Sequence, residues 1–118
     1  MKGVIETNEK KTGKYRLPRT VYNMTVWLIR DYVRMLDQPE FYADKIKAVE
    51  DAQDVVPKEY MQGVWQNITI HTPFPNDAHR ATYARHKSRY IHKVATLAAF
   101  LPNVATSEYL YKIENMSQ

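Results

Sequence analysis

Cysteine is absent from the 118 residues, so neither a disulfide framework nor a thiolate metal site is possible. No run approaches the roughly 18–20 uncharged apolar residues that a membrane-spanning helix requires. The opening Met1-Lys2-Gly3-Val4-Ile5-Glu6 passes at once into charged residues, without the apolar stretch of a signal peptide. These absences predict a protein of the reducing cytoplasm with no membrane partner. Histidine is scarce: no two of His71, His79, His86 and His92 stand three or four residues apart, so no helical metal-ligand pair presents itself. The acids Glu50, Asp51 and Asp54 alternate with lysines and read as a solvated face, not a catalytic cluster. Phosphate-binding glycine loops, dinucleotide fingerprints and nucleophile elbows are missing. The expectation is a protein that is not an enzyme and takes no cofactor.

What is present is charge, unevenly placed. The net value of +4 and the pI near 9.3 are modest. Residues 1–36 carry eight Lys/Arg against three acids, residues 37–77 three against eight, and residues 78–118 six against two. Two basic ends flank an acidic middle, which suggests one surface for a polyanion and another for a different partner.

The apolar pattern is helical throughout, and strand signals are weak. Residues 1–16 hold Lys10, Lys11, Lys14 and Arg16 with little to bury, and read as a mobile basic arm. Pro18 suits the first turn of a helix. Val21, Met24, Leu28, Tyr32 and Met35 then recur at helical spacing to about Asp37, with Trp27 widening the stripe. A second helix is expected from about Glu40 to Val55, its stripe Tyr42, Ile46, Val49 and Ala52. Pro57 opens a third, which buries Tyr60, Val64, Trp65 and Ile68. Trp27 and Trp65 are expected as core anchors. Gly63 inside the third helix costs about 1 kcal/mol against alanine, a hint of close packing. Pro73 and Pro75 break the chain, and Asp77 or Asn76 is the expected N-cap of a long fourth helix over 78–100. A short helical tail is expected within 105–118, bringing the domain to about 17–104.

The fourth helix carries the functional signal. From Ala78 to Val104 there is no acid, while Arg80, Arg85, Lys87, Arg89 and Lys93 all fall inside it. Tyr83, Tyr90, Ile91 and Val94 trace an apolar face, and Arg80, Arg85, Ser88 and Arg89 the opposite one. A helix with one uninterrupted basic face suits phosphate neutralisation and entry into a major groove. Arginine matters because its planar fork can bind guanine O6 and N7 together. The small residues Ala81, Ala84 and Ser88 would let the backbone approach the bases. Following a shorter helix and a proline turn, the arrangement reads as a helix-turn-helix over about 57–100. Exposed aromatics would favour single strands, whereas Tyr83 and Tyr90 fall on the core side, which points to duplex DNA. His79 and His86 are expected near phosphates.

The stretches Val56-Pro57-Lys58-Glu59-Tyr60-Met61-Gln62-Gly63-Val64-Trp65, Pro73-Phe74-Pro75-Asn76-Asp77 and Thr82-Tyr83-Ala84-Arg85-His86-Lys87-Ser88-Arg89-Tyr90-Ile91 resemble the C-terminal half of RinA/ArpU-type phage transcriptional regulators. The segment from Tyr15 to Tyr32 is similar to that group's opening helix. The resemblance implies an all-α fold with a C-terminal helix-turn-helix like sigma factor region 4, in a bacterial host. It implies activation of late phage genes, with Thr82, Arg85, Lys87 and Arg89 on the recognition helix. RNA polymerase and a second copy of the chain are candidate partners beside double-stranded DNA. Two other readings stay open. One is a DNA-packaging protein of the small-terminase kind, and the other is a protein-interaction adaptor that does not bind DNA.

If the arm touches the DNA backbone, replacing Lys10, Lys11 and Lys14 by alanine lowers affinity equally on all duplexes. It also flattens the dependence of affinity on salt, as measured by titration over a range of salt concentrations.

Overall fold

A computed structural model describes residues 15–100, and within them all regular structure is helical, with no strand. Its elements are α1 (Arg19–Arg30), α2 (Tyr32–Met35), α3 (Ala43–Asp51), a 3₁₀ turn over Ala52–Val55, α4 (Lys58–Ile70) and α5 (Arg80–Leu97). The expected basic arm, apart from Tyr15 and Arg16, and the expected C-terminal tail lie outside the described residues.

The Pro18 carbonyl accepts the first helical bond of α1, from the Tyr22 N–H at 2.9 Å. The expected single helix over 18–37 divides at Asp31, whose N–H is shared between the carbonyls of Trp27 (3.0 Å) and Leu28 (3.1 Å). Arg34 clasps the Asp31 carboxylate at 2.6 and 2.7 Å and holds that carboxyl below its usual pKa. Thr25, Val26, Ile29 and Met35 are buried, and the Thr25 hydroxyl is satisfied by the Val21 carbonyl at 2.7 Å. Met24 and Trp27 correct the sequence reading. Trp27 is 67% exposed and Met24 45%, because the buried arc of α1 centres on Thr25 and Ile29 and leaves both on the far side.

The second helix starts at Ala43, three residues later than expected, and its last turn tightens to 3₁₀ geometry. The residue before a proline is driven out of helical conformation, and Val56 accordingly sits extended at φ −118°, ψ 129° ahead of Pro57. Ile46, Ala48, Val49, Ala52 and Val56 are buried, whereas Tyr42 is only half-buried. α4 ends at His71, which takes the left-handed conformation (φ 60°).

The long helix runs over Arg80–Leu97, shorter at both ends than expected. Its cap is His79, whose Nδ1 accepts from the Ala81 N–H at 3.0 Å, and neither Asp77 nor Asn76 takes that place. Asp77 is instead engaged by the Tyr83 hydroxyl at 2.7 Å. The helix stops before Pro102 because Ala99 turns left-handed (φ 65°), with Phe100 N–H bonded to the Ala95 carbonyl and Ala99 N–H to that of Thr96. This is the Schellman pattern with alanine where glycine is usual.

Tyr83, Tyr90, Ile91, Val94 and Ala95 form the inner face of α5 and are all at most 1% exposed. Tyr90 donates to the Val49 carbonyl at 2.9 Å, tying α5 to α3 through the middle of the core. Tyr83 meets Tyr60 edge-on at 5.2 Å and stacks on Phe74 at 5.3 Å. Trp65, half-buried, lies edge-on to Tyr32 at 5.4 Å.

Gly63 is where α4, the proline connection and α5 converge. A Cβ there would lie 2.7 Å from Tyr83 Cε1 and 2.8 Å from Pro75 Cδ. Gly63→Ala gains about 1 kcal/mol of helix propensity but overpacks a buried ring and a proline, at a cost of about 1–3 kcal/mol. The expected net result is a destabilised protein, read as a lower urea midpoint with an unchanged slope.

Candidate nucleic-acid interface

Because the inner face of α5 is fixed by Tyr83, Tyr90, Ile91 and Val94, the helical period sends Arg80, Ala81, Ala84, Arg85 and Ser88 outward, and all five are exposed. Thr82, Arg89 and Lys93 lie on the shoulders of that face, each half-buried. Arg80, Arg85, Arg89 and Lys93 form no ion pair with any described residue. Their charge is therefore available to an anion from outside.

Lys87 belongs elsewhere. It is half-buried and donates to Asn67 Oδ1 at 2.7 Å, while Asn67 Nδ2 donates to the Thr72 carbonyl at 2.9 Å. Arg30 reaches the same place and donates from Nε to the Ile68 carbonyl at 2.8 Å. Two cations thus converge on the C-terminal end of α4, where the last carbonyls lack helical partners and the helix dipole is negative. Burial, with Arg30 nearby, pushes the Lys87 ammonium below its usual pKa. Its first role is to hold the turn between α4 and α5.

The histidines also depart from expectation. His79 turns Nδ1 to the helix end, where it accepts from the Ala81 N–H. His86 stacks on Tyr60 at 4.7 Å, and its Nδ1 is buried without a hydrogen-bond partner among the described residues. Burial first, then the charges of Arg89 and Arg85, push its pKa below the usual value, against a weaker opposing pull from Glu59. His86 therefore packs on Tyr60 in a setting that disfavours its charged form. Among the described residues no group of three His, Asp or Glu side chains comes together for a metal ion, and none of the described helices is long and apolar enough to cross a membrane.

The basic face of α5 is one wall of a groove. The chain entering α1 forms the other wall, and between them lies a cavity of about 770 Å³ lined by Arg16, Arg19, Tyr22 and Asn23 opposite Ala84, Arg85 and Ser88. A smaller cavity of about 150 Å³ shares Tyr22 and Asn23 and continues to Trp27, Arg30 and Lys87. Sequence reasoning did not assign Arg19, Tyr22 or Asn23 to the site and left Arg16 to the arm. One signal was available: residues 10–30 hold no acid, matching the acid-free run over 78–104. Lys10, Lys11 and Lys14 lie outside the described residues.

No protein-family model matches the chain, and no curated protein or solved structure matches it either.

The lowered pKa of His86 sets a pH dependence. Below about pH 6.5 the unfolded chain binds a proton there that the folded protein resists, so stability falls as pH drops through that value toward the folded pKa. Urea midpoints at pH 7.5 and 5.5 should differ less in His86→Phe, which keeps the ring against Tyr60, than in the unaltered protein. An unchanged difference would remove His86 as the cause.

Proposed function

We propose that this protein is a sequence-specific, duplex-DNA-binding transcriptional regulator that reads DNA with the outer face of α5. The observation that carries this reading is an 18-residue helix, locked on one side by two buried tyrosines, whose other side exposes Arg80 and Arg85 with small residues between them. Arg80, Arg85, Arg89 and Lys93 have no carboxylate partner among the described residues. A helix in that state offers bidentate donors to guanine and point contacts to phosphate in one surface. The preceding α4, the proline connection and Gly63 at the crossing fit a helix-turn-helix.

The likeness of residues 56–91 to RinA/ArpU-type regulators narrows the proposal to activation of late phage or prophage genes in the cytoplasm of a bacterial host. Arg80, Thr82, Arg85, Ser88 and Arg89 are the proposed contacts, with Lys93 toward the backbone. A single recognition helix rarely supplies enough specificity alone, so a homodimer on a two-part site belongs to the proposal. RNA polymerase is the proposed second partner, and no catalysis is assigned.

Selection of binding sites from a random duplex pool, followed by gel-shift titration, tests the reading. A defined sequence should emerge, and Arg85→Ala should weaken binding to it by about 1–3 kcal/mol while relaxing the preference at one base position. Equal losses on selected and random DNA would remove Arg85 as a base reader. Absence of binding at low salt would overturn the proposal, and a ring of many subunits in solution would favour the packaging role.

A further inference from the structure

We propose that the exposed surface of α1 beside the basic groove binds an unpaired nucleic-acid strand, with Tyr22 and Trp27 as stacking platforms and the flanking arginines on its phosphates. The proposal does not depend on α5 entering a major groove.

Trp27 is the starting observation. Burying a tryptophan is among the most favourable things a small helical protein can do, yet this ring is 67% exposed on the crest of α1. Its one ring contact among the described residues is the Arg30 guanidinium, 5.6 Å from the ring centroid. Tyr22, earlier on the same helix, is 40% exposed, and its side chain has no hydrogen-bond or ring partner among the described residues. The two are five residues apart, roughly 7.5 Å along the helix axis and about 140° around it, and both line the smaller cavity.

Their surroundings choose the occupant. Tyr22 and Asn23 line both the cavity of about 770 Å³, with Arg16, Arg19 and Arg85, and that of about 150 Å³, with Trp27 and Arg30, so cationic and aromatic side chains adjoin along this surface. The described segments that supply these cavities from α1 and α5, residues 15–30 and 78–100, are free of acids. Aromatic rings spaced along a cationic groove meet both needs of a single strand, whose bases expose π-faces and whose backbone carries charge. In a duplex those faces are hidden in the stack, and an exposed ring on a helix crest finds nothing to stack on. A second copy presenting the same face would bring like charges together instead of neutralising them. Asn23, between the two rings in sequence and lining both cavities, has an amide suited to a base edge.

The test uses the full chain carrying Trp65→Phe, so that Trp27 alone reports. An oligothymidylate of about twelve nucleotides, within the usual range of site sizes, is titrated in at low salt while tryptophan emission is followed. Stacking should quench Trp27 in a saturable, salt-sensitive manner. Trp27→Ala, which leaves no tryptophan and is therefore followed by the anisotropy of a dye on the oligothymidylate, should weaken binding by about 5- to 150-fold, and Tyr22→Ala should weaken it where Tyr22→Phe does not. Circular dichroism should be unchanged, since both side chains are exposed. Duplex binding with no quenching and no effect of Trp27→Ala overturns this inference and leaves the proposed function standing. Strand binding without duplex binding does the reverse, and binding of neither overturns both. A dimer lost on Trp27→Ala, with no strand bound, makes the occupant a second copy and overturns the inference.

Discussion

The burial of one face of α5 is the constraint on which the remaining geometry depends. Tyr83 and Tyr90, two turns apart, are both essentially inaccessible, and each carries a hydroxyl that must be satisfied inside the protein. Tyr90 finds the Val49 carbonyl in α3 and Tyr83 finds Asp77 in the connection. Leaving either group unpaired would cost about 1–3 kcal/mol, so these bonds fix the rotation of α5 about its own axis as well as its place. Gly63 lets α4 and the proline connection close against the Tyr83 ring. Once that rotation is set, the identity of the outward residues follows from the helical period.

The same constraint sorts the cations of α5 into groups that look alike on paper. Arg80 and Arg85 stand in solvent, Arg89 and Lys93 lie half-buried beside them, and Lys87 turns back to Asn67 at the end of α4. Lys87 is drawn there by the Asn67 side-chain oxygen, at a helix terminus where Arg30 serves the Ile68 carbonyl. His86 goes against Tyr60, where burial and two neighbouring guanidiniums lower its pKa. A run of basic residues thus contains distinct structural and surface roles, separated by about 100° of rotation per residue.

Much of the fold was legible in the residues. The helical period placed Val49, Val64, Ile68, Tyr83, Tyr90, Ile91 and Val94 in the core, and all seven are buried. Pro57 and the Pro73/Pro75 pair marked real boundaries because proline removes a donor and constrains the residue before it. Three features escaped. The caps at His79 and Ala99 rely on side-chain and backbone geometries rarely supplied by those residue types. The exposure of Trp27 ran against the usual burial of large rings, because periodicity alone does not say which edge of a broad stripe faces the core. The groove escaped because it is made by residues some sixty positions apart, Arg19 and Arg85 among them.

The sequence by itself determined the helical class, the inner face of the long helix and the absence of acid along its basic side. Local spacing and charge are properties of the chain, and no partner is needed to define them. Only the tertiary structure decided that this basic side is the wall of a groove, that Lys87 serves the α4 terminus, and that Trp27 faces outward. Those outcomes depend on how α1, α4 and α5 pack against one another. Such packing is a competition among faces for a limited buried surface, and no single helix carries the information that settles it.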